Sequence, residues 1–94
     1  MISFTVRMEF EATDRAAVEE LLLPLGHASR LEPGCVNYIA HFVQGEPATV
    51  LIYEQYVDEA ALEHHRNSPH FAQYANGLYK LLRSRKVEHL DPVE

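Results

Sequence analysis

The stretch CVNYIAHFVQGEPATVLIYEQYV, residues 35–57, decides the fold. Its two ends, residues 35–43 and 49–57, are rich in β-branched and aromatic side chains, which suit a pleated, packed surface. The middle, QGEPA, carries Gly45 and Pro47 and reads as a hairpin loop. In the first strand Val36, Tyr38, Ala40 and Phe42 share one face, and Asn37, Ile39 and His41 the other. Only Asn37, His41, Glu54 and Gln55 interrupt an otherwise apolar pair of strands. A sheet with one wet face alternates cleanly between apolar and polar residues, and this one does not. Both faces therefore need cover. The chain's own helices supply one cover; in 94 residues the other falls to a second copy, so a homodimer is expected.

Outward from the hairpin, residues 3–10 alternate with period two. Phe4, Val6, Met8 and Phe10 form a fully apolar face opposite Ser3, Thr5, Arg7 and Glu9. Thr13 or Asp14 is placed to cap a helix. Val18, Leu21, Leu22, Leu25 and Ala28 then recur at spacings of three and four, giving one apolar stripe. Pro24 removes the bond to the Glu20 carbonyl and is expected to kink that helix. EPG at 32–34 ends it in a turn. Beyond the hairpin, Asp58 caps a short helix reaching Arg66, and Ser68 caps another with Pro69 in its first turn. The stripe of that last helix is Phe71, Tyr74, Ala75, Leu78 and Leu82; Gly77 weakens it. Residues 85–90 make a final strand, and DPVE is a tail. The order is β-α-β-β-α-β: an α+β, ferredoxin-like chain forming one domain over residues 1–94, with a core of about 1–90.

Composition excludes several partners. The net charge of −6 repels nucleic acid and anionic membranes, and the one short basic cluster, Arg83, Arg85 and Lys86, is too small a footprint. No window is apolar for long enough to span a bilayer, and the N-terminus lacks the pattern of a signal peptide. A cytoplasmic protein is expected. The lone Cys35 reads as a small buried hydrophobe.

Within this frame, EPGCVNYIAHF and LIYEQYVDEAALEHHRNSPHF resemble the antibiotic biosynthesis monooxygenase domain family, small quinol monooxygenases among them. The resemblance covers roughly residues 1–82. It is carried by the EPGC turn, the Tyr53–Glu54 pair and the segment with DEAAL, His65 and SPHF. It implies a dimeric α+β barrel with two sheets face to face and a pocket in each subunit between sheet and helices. It also implies oxidation of quinols or aromatic polyketides by O2 without metal, flavin or other cofactor. Members of the family include isomerases and haem degraders as well. Tyr56 stands where many members carry tryptophan, and the chain has none, which argues against the haem-degrading branch.

Cofactor-free oxygenation asks little of the protein. A deprotonated quinol passes one electron to triplet O2 and the radicals recombine, so a base, a dry pocket and hydrogen bonds to the anion suffice. Histidine titrates near neutrality and suits the base. His65 lies three residues after Leu62 and four after Ala61, facing inward, and aligns with the family's helix histidine. His41 interrupts an apolar strand. His70 sits in a first helical turn, where the dipole favours the neutral imidazole. His64 faces away and reads as solvated. Each of the three catalytic candidates has a structural alternative: a core or rim histidine bonded to a carbonyl, a strand-edge residue, or a solvated first-turn residue. Glu54, mid-strand, either pairs with Arg7 or Arg85 or carries a raised pKa. Asn37, Tyr38, Tyr53 and Tyr74 are candidates to hydrogen-bond a phenolic oxygen. No metal site is expected: His64 and His65 diverge on a helix, and no full ligand set accompanies His65 and His70.

The sequence favours a cofactor-independent monooxygenase of a small aromatic or quinol-like substrate and O2. An isomerase of a small oxo-acid or phosphorylated metabolite, using Arg7 and Arg66, is the first rival. A non-catalytic, ligand-binding dimer is the second.

Overall fold

The computed structural model describes residues 1–93. Strand β1 (Ile2–Glu9) leads through a 3-10 turn (Ala12–Asp14) into helix α1 (Arg15–Arg30). Strands β2 (Cys35–Phe42) and β3 (Thr49–Tyr56) form the hairpin. Helix α2 (Glu59–Arg66), a π-helical turn (Phe71–Ala75), helix α3 (Asn76–Leu81) and strand β4 (Ser84–His89) follow. The last residue of the expected tail, Glu94, lies outside the described residues.

The four strands make one antiparallel sheet in the order β2-β3-β1-β4. The sheet is open: within one chain β2 and β4 are its edges. Its register puts Phe4 opposite Glu54, Val6 opposite Ile52 and Met8 opposite Val50, with Tyr38, Ala40 and Phe42 continuing the same rows on β2. This face packs under the helices, where Val18, Leu22, Leu25, Leu62 and Leu78 meet it in one core. On the opposite face none of Thr5, Arg7, Leu51, Tyr53, Ile39 and His41 is buried. Among the described residues, no helix is long and apolar enough to cross a membrane.

Two local expectations fail for identifiable reasons. A register shift between Cys35 and Asn37 makes Val36 the extra residue of a bulge, so Val36 leaves the Tyr38 face and is 44% exposed. Asp14 holds the N-cap position of α1, but its side chain makes no capping bond; the 3-10 turn supplies the entry instead, Asp14 N–H donating to the Glu11 carbonyl at 2.9 Å. Helix α1 runs continuously through Pro24. Asp58 caps α2 as its type predicts, its carboxylate accepting from Ala61 N–H at 2.8 Å. Ser68 Oγ accepts from Phe71 N–H at 3.2 Å and donates to the His65 carbonyl at 2.7 Å, tying the two helical segments together.

Candidate functional site

A cavity of about 230 Å³ lies between the inner face of the sheet and the helices. Phe4, Val6 and Ile52 floor it, Leu78 and Phe71 wall it, and Tyr38, Glu54 and His65 bring polar atoms to it. Helix α2 places His65 there because Leu62 and His65, one turn apart, are its two buried residues. Three aromatic rings surround the imidazole: Tyr56 and Phe71 with ring centroids at 5.2 Å, and Tyr38 at 5.8 Å.

Behind His65 stands Glu32, from the turn after α1. Gly34 makes this possible. A Cβ there would meet the Ala61 Cβ at 2.3 Å, so only glycine lets the turn press against α2. Glu32 is buried as a result, and its Oε2 accepts from His65 Nδ1 at 2.8 Å and from His70 Nε2 at 2.5 Å. The Glu32 carboxylate thereby fixes the His65 tautomer: the proton sits on Nδ1 and the lone pair on Nε2. Nε2 lies 3.6 Å from Glu54 Oε1, and that same oxygen accepts from the Tyr56 hydroxyl at 2.6 Å. Sequence reasoning gave Glu32 no more than a turn residue's role and passed over Tyr56's link to Glu54.

Burial governs the electrostatics. It pushes the Glu54 carboxyl up to about 7, against the Tyr56 hydrogen bond and the positive charge of Arg85. Burial also lowers His65 below the usual histidine range, opposed by the Glu32 carboxylate, so the imidazole is mostly neutral at neutral pH. The phenols of Tyr38 and Tyr56 are pushed up by burial first and stay protonated donors. Cys35 is half-buried, and its thiol is raised to about 11, by burial first and then by the Glu32 and Glu54 charges; it is an inert thiol.

Of the residues singled out from the sequence, His65, Tyr38 and Glu54 meet at the cavity. His70 joins them indirectly, through Glu32. His41 lies on the opposite, exposed face, its Nδ1 3.0 Å from the Leu51 carbonyl. Asn37 lies there too and donates to Gln55 at 2.9 Å, and Tyr53 shares that face. Tyr74 is half-buried against the core and does not line the cavity. Arg7 pairs with Glu46 at 3.1 Å instead of with Glu54. Arg66, Arg85 and His89 line the cavity, and of these only Arg66 and Arg85 carried any expectation.

The sequence model of the family described as "Antibiotic biosynthesis monooxygenase" matches residues 1–77. The chain belongs to that family. The Mycobacterium tuberculosis protein named "Putative monooxygenase Rv0793" is 28% identical over 92 residues, covering 97% of this chain and 86% of its own. Its structure superposes with a TM-score of 0.88 over 99% of this chain and 95% of that one. PA3566 from Pseudomonas aeruginosa is 29% identical, with a TM-score of 0.91 over 99% and 94% of the two chains. The crystal structure of an antibiotic biosynthesis monooxygenase matches with a TM-score of 0.94 over the whole of both chains; at 23% identity it attests the fold. Family membership supports a function of monooxygenase type.

Proposed function

We propose that this chain is a cofactor-independent monooxygenase acting on a small quinol or polyphenol. One observation carries the reading: a tautomer-fixed His65 at the cavity, its Nδ1 bonded to a buried carboxylate and its Nε2 left for a substrate proton. Nε2 takes a phenolic proton, and Glu32 steadies the imidazolium that forms, as the orienting acid does in a nucleophile–histidine–acid arrangement. The substrate anion passes an electron to O2, and the radicals join at a ring carbon. The O–O bond then breaks, with quinol plus O2 giving hydroxyquinone plus water. Glu54, half-protonated near neutrality, is suited to return a proton to the departing oxygen. Tyr38 serves as a donor to the developing anion. The cavity is smaller than the roughly 300–1,000 Å³ typical of drug-sized ligands, so one or two rings fit. His41, Asn37 and Tyr53 have no part in this chemistry within one subunit.

A homodimer completes the proposal. The face bearing Ile39, Leu51 and Tyr53 is left without cover by the chain's own helices, and Ile39 is 46% exposed. A second sheet packed on it would remove this apolar surface from water.

The rival isomerase reading is favoured by one observation: Arg66 and Arg85 both reach the cavity, which suits an anionic substrate. Turnover of a panel of small quinols under 18O2 separates the two. Product carrying one labelled oxygen supports the monooxygenase; product formed equally well without oxygen contradicts it.

A further inference from the structure

Glu32, His65 and His70 come from three separate segments: the turn after α1, helix α2, and the start of the last helical stretch. Their ligand-capable atoms all lie within 4.8 Å of one another. Hydrogen bonding alone leaves this cluster unbalanced. Both imidazoles address the same carboxylate oxygen, Oε2, while the buried Oε1 has no hydrogen-bond partner among the described residues. Buried carboxylate oxygens seldom stand bare, and such an atom calls for a water or a cation. The Glu32 side chain is only 4% exposed and His65 only 3%, whereas His70, at 20%, opens a short path from solvent.

Two imidazoles and one carboxylate are the donor set of first-row divalent ions such as Zn2+ and Co2+. Ligands bound at 2.0–2.1 Å to a tetrahedral ion stand roughly 3.3 Å apart. The nitrogens now at 2.5 and 2.8 Å from Oε2 need to retreat only by about half an ångström or more, with Oε1 taking up the ion's other side. We propose that Glu32, His65 and His70 form a binding site for a divalent first-row metal ion, and that its occupation turns His65 from a base into a donor. Coordination takes the Nδ1 lone pair, so the proton of the neutral ring must move to Nε2. Nε2 then presents N–H to the cavity, where the metal-free protein presents a lone pair. The ion sits behind His65, since neither Glu32 nor His70 lines the cavity, and acts as a brake on turnover. That consequence rests on His65 being the base; the metal site itself does not.

The test uses the full chain, stripped with chelator and titrated with Zn2+ by calorimetry and with Co2+ by visible absorption. One ion per chain is expected, with affinity falling at least tenfold in Glu32→Gln and in His70→Gln, each checked for native circular dichroism. In wild-type protein, 15N spectra of the imidazoles should show the Nε2 of His65 changing from lone-pair to N–H character on Zn2+ addition. No binding up to millimolar metal, binding indifferent to both variants, or shifts confined to the other histidines would overturn the site. None of these readouts involves substrate or oxygen, so a failure of the oxygenase reading leaves them intact.

Discussion

At the scale of single residues, the site is two buried carboxyls set on either side of one imidazole, and burial raises the proton affinity of Glu54. Glu32 raises the proton affinity of His65 while burial lowers it. Replacing Glu32 with Gln keeps an acceptor for Nδ1–H but removes the charge. The His65 pKa should then fall further, read by imidazole NMR titration, and the acid limb of the pH–rate profile should move down with it. A His65 that titrates unchanged would show that the carboxylate does not act on it. Glu54 gives a test of stability. Its carboxyl is raised from 4.5 to about 7, so the folded state binds its proton more tightly than the unfolded chain does. It costs nothing below about pH 4.5, and the cost grows as pH rises through about 7, to roughly 3 kcal/mol. Glu54→Gln should match wild type in urea denaturation near pH 4 and be the more stable by about 1–3 kcal/mol at pH 8. Equal stabilities at pH 8 would contradict it. His65 was legible because its spacing from Leu62 sets its direction on a helix. Glu32 was not: Pro33 and Gly34 announce a turn, turns belong on the surface, and only the contact of Gly34 with Ala61 buries this one.

At the scale of elements, that contact is the hinge of the site. Gly34→Ala places a methyl where Ala61 already stands, so the turn must back away from α2 and take Glu32 with it. A loss of about 1–3 kcal/mol is expected from overpacking, with weakened protection of His65 from solvent. The double variant Gly34→Ala/Ala61→Gly should recover most of it, measured by thermal and urea unfolding; no recovery would mean the glycine serves the backbone and not the contact. Gly77 makes a milder approach, its would-be Cβ facing the end of the Leu21 side chain at 2.9 Å. The order of elements was readable because β1 and the helices show period two and period 3.6, while β-branched and aromatic runs around QGEPA mark the hairpin. What periodicity does not encode is the bulge that turns Val36 outward, or the π-helical turn that carries Phe71 to the cavity. Both depend on how the chain meets its neighbours and leave no repeat to detect.

At the scale of the whole molecule, the sheet has one face buried under helices and one mixed face, on which Ile39, Leu51 and Tyr53 are not buried in a single chain. Ile39→Glu puts a charge in the middle of that face and should convert a dimer into a monomer in sedimentation velocity at micromolar concentration. A wild-type chain already monomeric there would remove the proposed second sheet. In the cavity on the other side of the sheet, His65 alone is asked to start the reaction of a quinol with oxygen. Oxygen uptake by chelator-treated protein with small quinols, compared with His65→Gln, tests it most directly. Sustained uptake by the wild type and a fall of roughly 10²–10⁴-fold in the variant are expected. No uptake by any quinol, or uptake that survives the loss of His65, would contradict it.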